Sequence, residues 1–209
     1  MNNNWLTIEN KGNEVVLTKC SLSATGEVVI PEGVTVIDAW AFDGCKGITA
    51  VSIPKSVTVI EYYAFRNCTG LTSIVIPDGI TCIDAFEGCS GLTSVVIPNS
   101  VTIIVNKAFR GCTSLTSIDI PNGVTNIGLS AFRECTGLTS VVIPNSVTCI
   151  GMSAFEDCTS LKSVTIPESV SSIEMDAFKG CTSLKSITIP ANTNISDNAF
   201  DACTQVIRK

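Results

Sequence analysis

The chain of 209 residues contains no histidine. That removes the commonest general base and a common zinc ligand. Ser–His and Cys–His nucleophile arrangements are therefore excluded. Charge is sparse as well: 15% of residues are Asp, Glu, Lys or Arg, and the net charge is −6. There is no basic excess to hold nucleic acid or an anionic membrane surface. No apolar run approaches the ~20 residues needed to span a bilayer. The opening Met1-Asn-Asn-Asn-Trp5 lacks the basic-then-apolar pattern of a secretory leader. Either a leader has been removed or the chain does not use that route.

What is present is a beat. The eight prolines, from Pro31 to Pro190, stand 23, 23, 21, 23, 23, 23 and 23 residues apart. The eight phenylalanines, Phe42 to Phe200, keep the same order. Three residues after each comes a cysteine, from Cys45 to Cys203. A fixed period of this length signals a solenoid. Residues 28–209 read as eight repeats of about 23 residues, the last truncated, and residues 1–27 as an N-terminal cap. The third repeat is shortened between Ile83 and Ala85, the last between Pro190 and Ile195. Both shortenings avoid the Leu-Thr-Ser-x-x-Ile-Pro stretch, so that stretch is expected to be the strand. Gln205-Val-Ile-Arg-Lys209 would begin a ninth strand.

Alternation assigns the faces. In Leu71-Thr-Ser-Ile-Val-Ile-Pro77, Ile74 and Ile76 share one side while Ser73 and Val75 share the other. Proline closes the strand, because it has no N–H to donate and holds the preceding residue extended. Strands repeated in one direction with a crossover between them pair in parallel. The return path carries Phe132 and Cys135 three apart, the spacing of one helical turn, so a single α- or 3₁₀-type turn is expected there. In the fifth repeat the inward set is Ile118, Ile120, Val124, Ile127, Ala131, Phe132, Cys135 and Leu138. Stacked coils put like over like, about 4.7–4.9 Å apart.

The unit resembles the BspA-like, or Treponema pallidum type, class of leucine-rich repeats. The stretch Cys158-Thr-Ser-Leu-Lys-Ser-Val-Thr-Ile-Pro-Glu-Ser-Val-Ser-Ser-Ile173 carries the resemblance most fully, and it extends over about residues 28–203. The glycine after the second isoleucine survives only at Gly128 and Gly151. The resemblance implies an α/β repeat fold: a right-handed, curved solenoid with a parallel sheet on its concave face and short helical or 3₁₀ turns on its convex side. It also implies a surface or secreted protein, several relatives being adhesin-like. A cytoplasmic location stays open.

Eleven cysteines raise the question of disulfides. Stacked cysteines have parallel Cβ vectors, whereas a bridge needs a torsion near 90°. Burial as small apolar thiols is the expectation, with Cys20, Cys82 and Cys149 outside the column. A catalytic thiol needs an electropositive, accessible setting. A zinc site needs convergent ligands rather than a line of them. No cofactor, metal or enzymatic activity is expected. Asn67-Cys-Thr and Asn194-Ile-Ser have glycosylation spacing, which matters only in a host with that machinery.

The outward columns remain for function. One runs Val29, Ser52, Val75, Val96, Asp119, Val142, Thr165 and Thr188, beside a column of serines. A continuous, mildly apolar strip marks an interaction surface, although Val and Thr also simply suit strands. Asp119 is its one charge, readable as a solvated side chain or as a ligand contact. Trp40, Tyr62 and Tyr63 form a second candidate, either covering the cap or anchoring a partner. The threonine column from Thr35 to Thr148 is expected to hydrogen-bond along the ladder rather than to order water. Two readings follow: a monomeric module binding a protein or glycan on a cell or matrix surface, without nucleic acid or membrane insertion, or a spacer or assembly scaffold with no discrete site.

Overall fold

A computed structural model describes residues 5–209. The Met1–Asn4 part of the opening segment lies outside them. The chain is a solenoid of stacked coils held by three hydrogen-bonded walls.

The first wall is the expected parallel sheet. Strands Gly26–Val29, Ile48–Ser52, Ser73–Val75 and Ser94–Val96 run side by side. Register is like over like: Ser73 faces Ser94, Ile74 faces Val95 and Val75 faces Val96. Ser140–Val142 pairs with Ser163–Thr165, and Ser186–Ile189 with Gln205–Arg208. Between the first four strands and the next pair, the fifth coil contributes only an isolated bridge from Asp119 to Val142.

The second wall is a set of two-residue strands after the Val-Thr step, such as Ile103–Ile104 and Asn126–Ile127, again parallel. It forms one sheet from Cys82–Ile83 to Asn194–Ile195 and another from Leu6–Lys11 to Val59–Ile60. The interruption falls between Ile60 and Cys82, beside the two-residue deletion of the third repeat. Ser73–Val75 and Ser94–Val96 pair across that deletion undisturbed. The threonines of this wall tie coil to coil: the hydroxyl of Thr102 donates to the Thr81 carbonyl (3.3 Å), and Ser171 to that of Thr148 (3.0 Å). At the N-terminal end Leu6–Lys11 and Glu14–Cys20 form an antiparallel hairpin, and the second of these strands pairs in parallel with Val36–Ile37.

The third wall corrects the expected helical turns. There is no helix among the described residues. Two columns of left-handed residues prevent one. Trp40, Tyr63, Lys107, Ser130, Ser153, Asp176 and Asn198, each just before Ala-Phe, have φ between 54° and 63°. Two residues after phenylalanine, Gly44, Asn67, Gly88, Gly111, Glu134, Asp157 and Gly180 have φ between 56° and 74°. A left-handed residue every fourth position breaks any α- or 3₁₀-run. The amides instead alternate. Asp43 N–H donates to Trp40 O (2.9 Å) and Cys45 N–H to Phe42 O (3.0 Å), both within the coil. Phe42 N–H donates to Ala64 O (2.7 Å) and Gly44 N–H to Arg66 O (2.8 Å), both in the next coil. Every second peptide of the turn thus becomes a rung to its neighbour, which satisfies a buried backbone that a single helical turn would leave open.

The core lies between the walls as columns. All eight inward residues of the fifth coil are buried, from Ile118 to Leu138. The phenylalanine rings stack nearly parallel from Phe42 to Phe200, with centroids 4.7–5.5 Å apart. No coil can bury its own face alone, so stability belongs to the stack.

Candidate functional site

The cysteines are part of that core. All eleven are free thiols. From Cys68 to Cys181, each column thiol lies 3.0–3.2 Å from the phenylalanine carbonyl of the preceding coil and donates to it. A thiol here is small, apolar and still able to donate weakly, and so occupies a second lone pair on a buried carbonyl. Burial pushes Cys135 and Cys181 up to about 12, and holds Cys112 and Cys158 well above the ordinary thiol value. These sulfurs stay protonated and unreactive at neutral pH.

The column has different ends from those expected. Cys20 joins it, buried beneath Cys45, whose thiol approaches the carbonyls of Cys20 and Ser21 at 3.7 and 3.6 Å. Cys203 leaves it and is exposed. The final coil is one residue short, and Thr204 is drawn in instead, its hydroxyl donating to Leu184 O at 2.9 Å. Among the described residues no group of three or more Cys, Asp or Glu is placed to hold a metal ion.

The strand face gathers the first set of candidates into one surface. Ser52, Val75, Val96, Asp119, Val142, Thr165 and Thr188 are all exposed, while the residues between them point into the core. Exposure reaches 62% at Val75, 57% at Val96 and 64% at Val142, high for valines in strands that face a core on their other side. A groove of about 430 Å³ runs over Ser52, Val75 and Val96, bordered by Lys55, Asp78 and Pro98. A smaller hollow of about 300 Å³ lies where the sheet is interrupted, between Asp119 and Val142.

Charge is concentrated elsewhere, in a feature not anticipated from the sequence. The residue after each phenylalanine forms a column: Asp43, Arg66, Glu87, Arg110, Arg133, Glu156, Lys179 and Asp201. Arg66 grips Asp43 through two hydrogen bonds of 2.9 and 3.2 Å. Arg110 reaches Glu87 (3.7 Å) and Glu134 (3.2 Å), and Arg133 reaches Glu156 (3.2 Å). The near-alternation of sign after phenylalanine is the signal that would have found it. These pairs join coil to coil on the turn wall, whereas the outward strand column carries only one charge, Asp119.

The second set of candidates also comes together. Trp40 meets Tyr62 edge to face with centroids 4.7 Å apart, and Tyr63 lies 6.2 Å from Trp40 and 5.9 Å from Tyr62. Trp40 and Tyr62 remain nearly half exposed. It is Trp5, not this trio, that packs against the core from the N-terminal side.

A family model described as the BspA type leucine-rich repeat region matches residues 14–86 and 83–207. The chain belongs to the BspA-type leucine-rich repeat family. It is similar to the T. pallidum leucine-rich repeat protein, with 30% identity and a TM-score of 0.78, covering 88% of this chain and 90% of that one. A leucine-rich repeat protein from Eubacterium ventriosum ATCC 27560 is similar at 25% identity and a TM-score of 0.72, covering 81% of this chain and 46% of that one. One from Bacteroides ovatus ATCC 8483, at 24% identity and a TM-score of 0.66, shares the fold over 96% of this chain and 68% of its own length. No curated protein matches the sequence. BspA-type arrays are repeat scaffolds often used in protein binding and are generally non-enzymatic. No helix among the described residues is long and apolar enough to cross a membrane.

Proposed function

We propose that this protein is a non-enzymatic, adhesin-like binding module, displayed at a cell surface or secreted, that engages a protein or glycan through its strand face as a monomer. The observation that carries the reading is the exposed valine ladder. Val75, Val96 and Val142 lie on the outer face of a strand wall whose inner face is sealed in the core, and solvation of the fold does not require apolar residues there. Serines alongside supply hydroxyls at the strand spacing, and the groove over Ser52, Val75 and Val96 gives the strip relief. Large anchors such as Trp or Arg are missing from the strip, so a single copy binds weakly and repeated display raises avidity. The same lack of anchors favours the second reading, a spacer or assembly scaffold.

The deciding experiment screens the wild-type chain against extracellular proteins and glycans. The triple variant Val75→Glu, Val96→Glu, Val142→Glu is carried in parallel. Its substitutions are on exposed positions, but Val75 pairs with Val96 and Val142 with Asp119, so the new carboxylates repel and circular dichroism must first show the variant folded. Loss of the captured partner is then expected. A partner retained by the triple variant at unchanged affinity refutes the strand-face site. No partner in either arm favours the scaffold.

A further inference from the structure

The shoulder formed by Trp40, Tyr62 and Tyr63 lies apart from the strand face and has its own chemistry. Bulky aromatics are unusual in left-handed backbone, yet Trp40 (φ 54°) and Tyr63 (φ 57°) occupy it. The same slot elsewhere holds Lys107, Ser130, Ser153, Asp176 and Asn198. Here the three rings touch one another, and Trp40 and Tyr62 stay open to solvent while Tyr63 is half-buried.

Beside the rings runs an acidic column. Asp38, Glu61 and Asp84 directly follow the strands Val36–Ile37, Val59–Ile60 and Cys82–Ile83 of three successive coils, the first two of which pair. Glu61 immediately precedes Tyr62, and the Tyr63 amide donates to the carbonyl of Asp84 at 2.7 Å. In the first coil the slot is filled: the Lys11 ammonium reaches Asp38 at 3.2 Å. Among the described residues, no cation pairs with Glu61 or Asp84. Asp84 is held above the ordinary carboxylate range by partial burial and by Glu87. The rings already show the matching preference, because the Arg66 guanidinium lies over Tyr63, 5.7 Å from its centre. One coil thus displays the carboxylate–ammonium half of a cation site and the next the cation–ring half. The net charge of −6 draws basic segments to the surface.

We infer that this shoulder is a second interaction surface, which takes a lysine or arginine side chain from a basic segment of a partner protein between the Trp40–Tyr62–Tyr63 rings and the carboxylates of Glu61 and Asp84. The aromatic faces attract the cation and the two carboxylates neutralise it. A neutral partner gains neither.

The test titrates a capped arginine-rich peptide, and its glutamate counterpart, into the full chain carrying Trp5→Phe, so that emission reports Trp40. The arginine peptide should give a saturable change with a Kd of about millimolar or tighter, weakened by added salt. The glutamate peptide should give none. Tyr62→Ala, an exposed position, should weaken binding about tenfold. Glu61→Gln with Asp84→Asn should do the same, while the Val75→Glu, Val96→Glu, Val142→Glu variant binds as before. The inference is overturned if no arginine peptide saturates, if Tyr62→Ala and the paired amide variant bind like wild type, or if a neutral oligosaccharide binds the rings independently of Glu61 and Asp84. None of these outcomes depends on whether the strand face finds a partner.

Discussion

Removing one ring from the middle of the phenylalanine column tests whether the array is stable as a stack. Phe109 is fully buried and lies between Phe86 (5.5 Å) and Phe132 (5.4 Å). Phe109→Ala forfeits about 1.5–3 kcal/mol of apolar transfer. It also removes two ring contacts, each worth about 0.5–1.5 kcal/mol. Three walls of coil-to-coil hydrogen bonds keep the coils from collapsing onto the hole, so the cavity penalty remains. The expected loss is about 3–5 kcal/mol. Domains are stable by roughly 5–15 kcal/mol, so this is a large fraction. Phe200 is the internal control. It has one stacked neighbour, at 5.3 Å from Phe178, and is only partly buried. Phe200→Ala should cost about 1–2 kcal/mol. The assay is urea unfolding followed by far-UV circular dichroism. A fall in midpoint at constant slope reports a weakened cooperative array, whereas a split transition would mean that the halves have uncoupled at the hole. The reasoning fails if Phe109→Ala unfolds within 1 kcal/mol of wild type, or if Phe200→Ala costs as much as Phe109→Ala.

Two further outcomes follow from the turn wall and the thiol column. An alanine Cβ at Gly88 (φ 74°) would stand 2.3 Å from Asn67 Oδ1, whereas at Gly111 (φ 73°) its nearest contact is 3.6 Å away. Gly111→Ala should therefore cost about 1–2 kcal/mol for the left-handed backbone alone. Gly88→Ala should cost about 1 kcal/mol more, recovered when Asn67→Gly is added; equal costs at the two sites would refute the stacking of Asn67 on Gly88. The raised thiols make stability fall at alkaline pH. Cys135 and Cys181 ionise at about 12 when folded but near 9.0 when unfolded, so their contribution is complete below pH 9 and is lost between pH 9 and 12. Each such thiol removes about 1.4 kcal/mol per pH unit in that window. Urea midpoints that stay flat from pH 8 to 11 would contradict this. In the same samples a thiol reagent should find all eleven cysteines after denaturation, but in the native array should reach the exposed Cys203 first and Cys82 next.

The parts legible in the sequence are those in which burial selects residue type. Ile74, Ile76, Phe132, Cys135 and Leu138 repeat because the interior offers the same volume in every coil, and a column tolerates one kind of side chain. Parallel pairing followed from the repeated direction of Ser73–Val75 and its equivalents, and the exposed valine ladder followed from the same alternation. The turn was misread because the spacing of Phe132 and Cys135 is common to a helical turn and to an isolated four-residue turn, closed here by the Cys135 N–H on Phe132 O. What separates them is the sign of φ at Ser130 and Glu134, and neither side chain announces a left-handed backbone. The hint lay in the Glu134 slot of the other coils, where Gly44, Gly88, Gly111 and Gly180, with Asn67 and Asp157, supply the residue types that tolerate φ above zero.

That turn also accounts for where function can reside. A helical turn on the return path would direct its few hydrogen bonds along its own axis, and this wall would then join coil to coil through side chains alone. Alternating turn and rung hydrogen bonds instead join coil to coil through the peptide itself, so the side chains outside the wall are released from structural duty. After phenylalanine those positions went to paired charges along the array, Arg66, Arg110 and Arg133 among them. Before Ala-Phe in the first two coils they went to Trp40, Tyr62 and Tyr63, near Glu61 and Asp84, which pair with no cation among the described residues. The two-residue deletion in the third coil removes the slots in which the aromatic column would have continued, and the second wall is interrupted beside it. Regularity thus explains why the cysteines carry no chemistry, and the breaks in it, at Asp119 on the strand face and at Asp84 on the shoulder, fall where the surface is most particular.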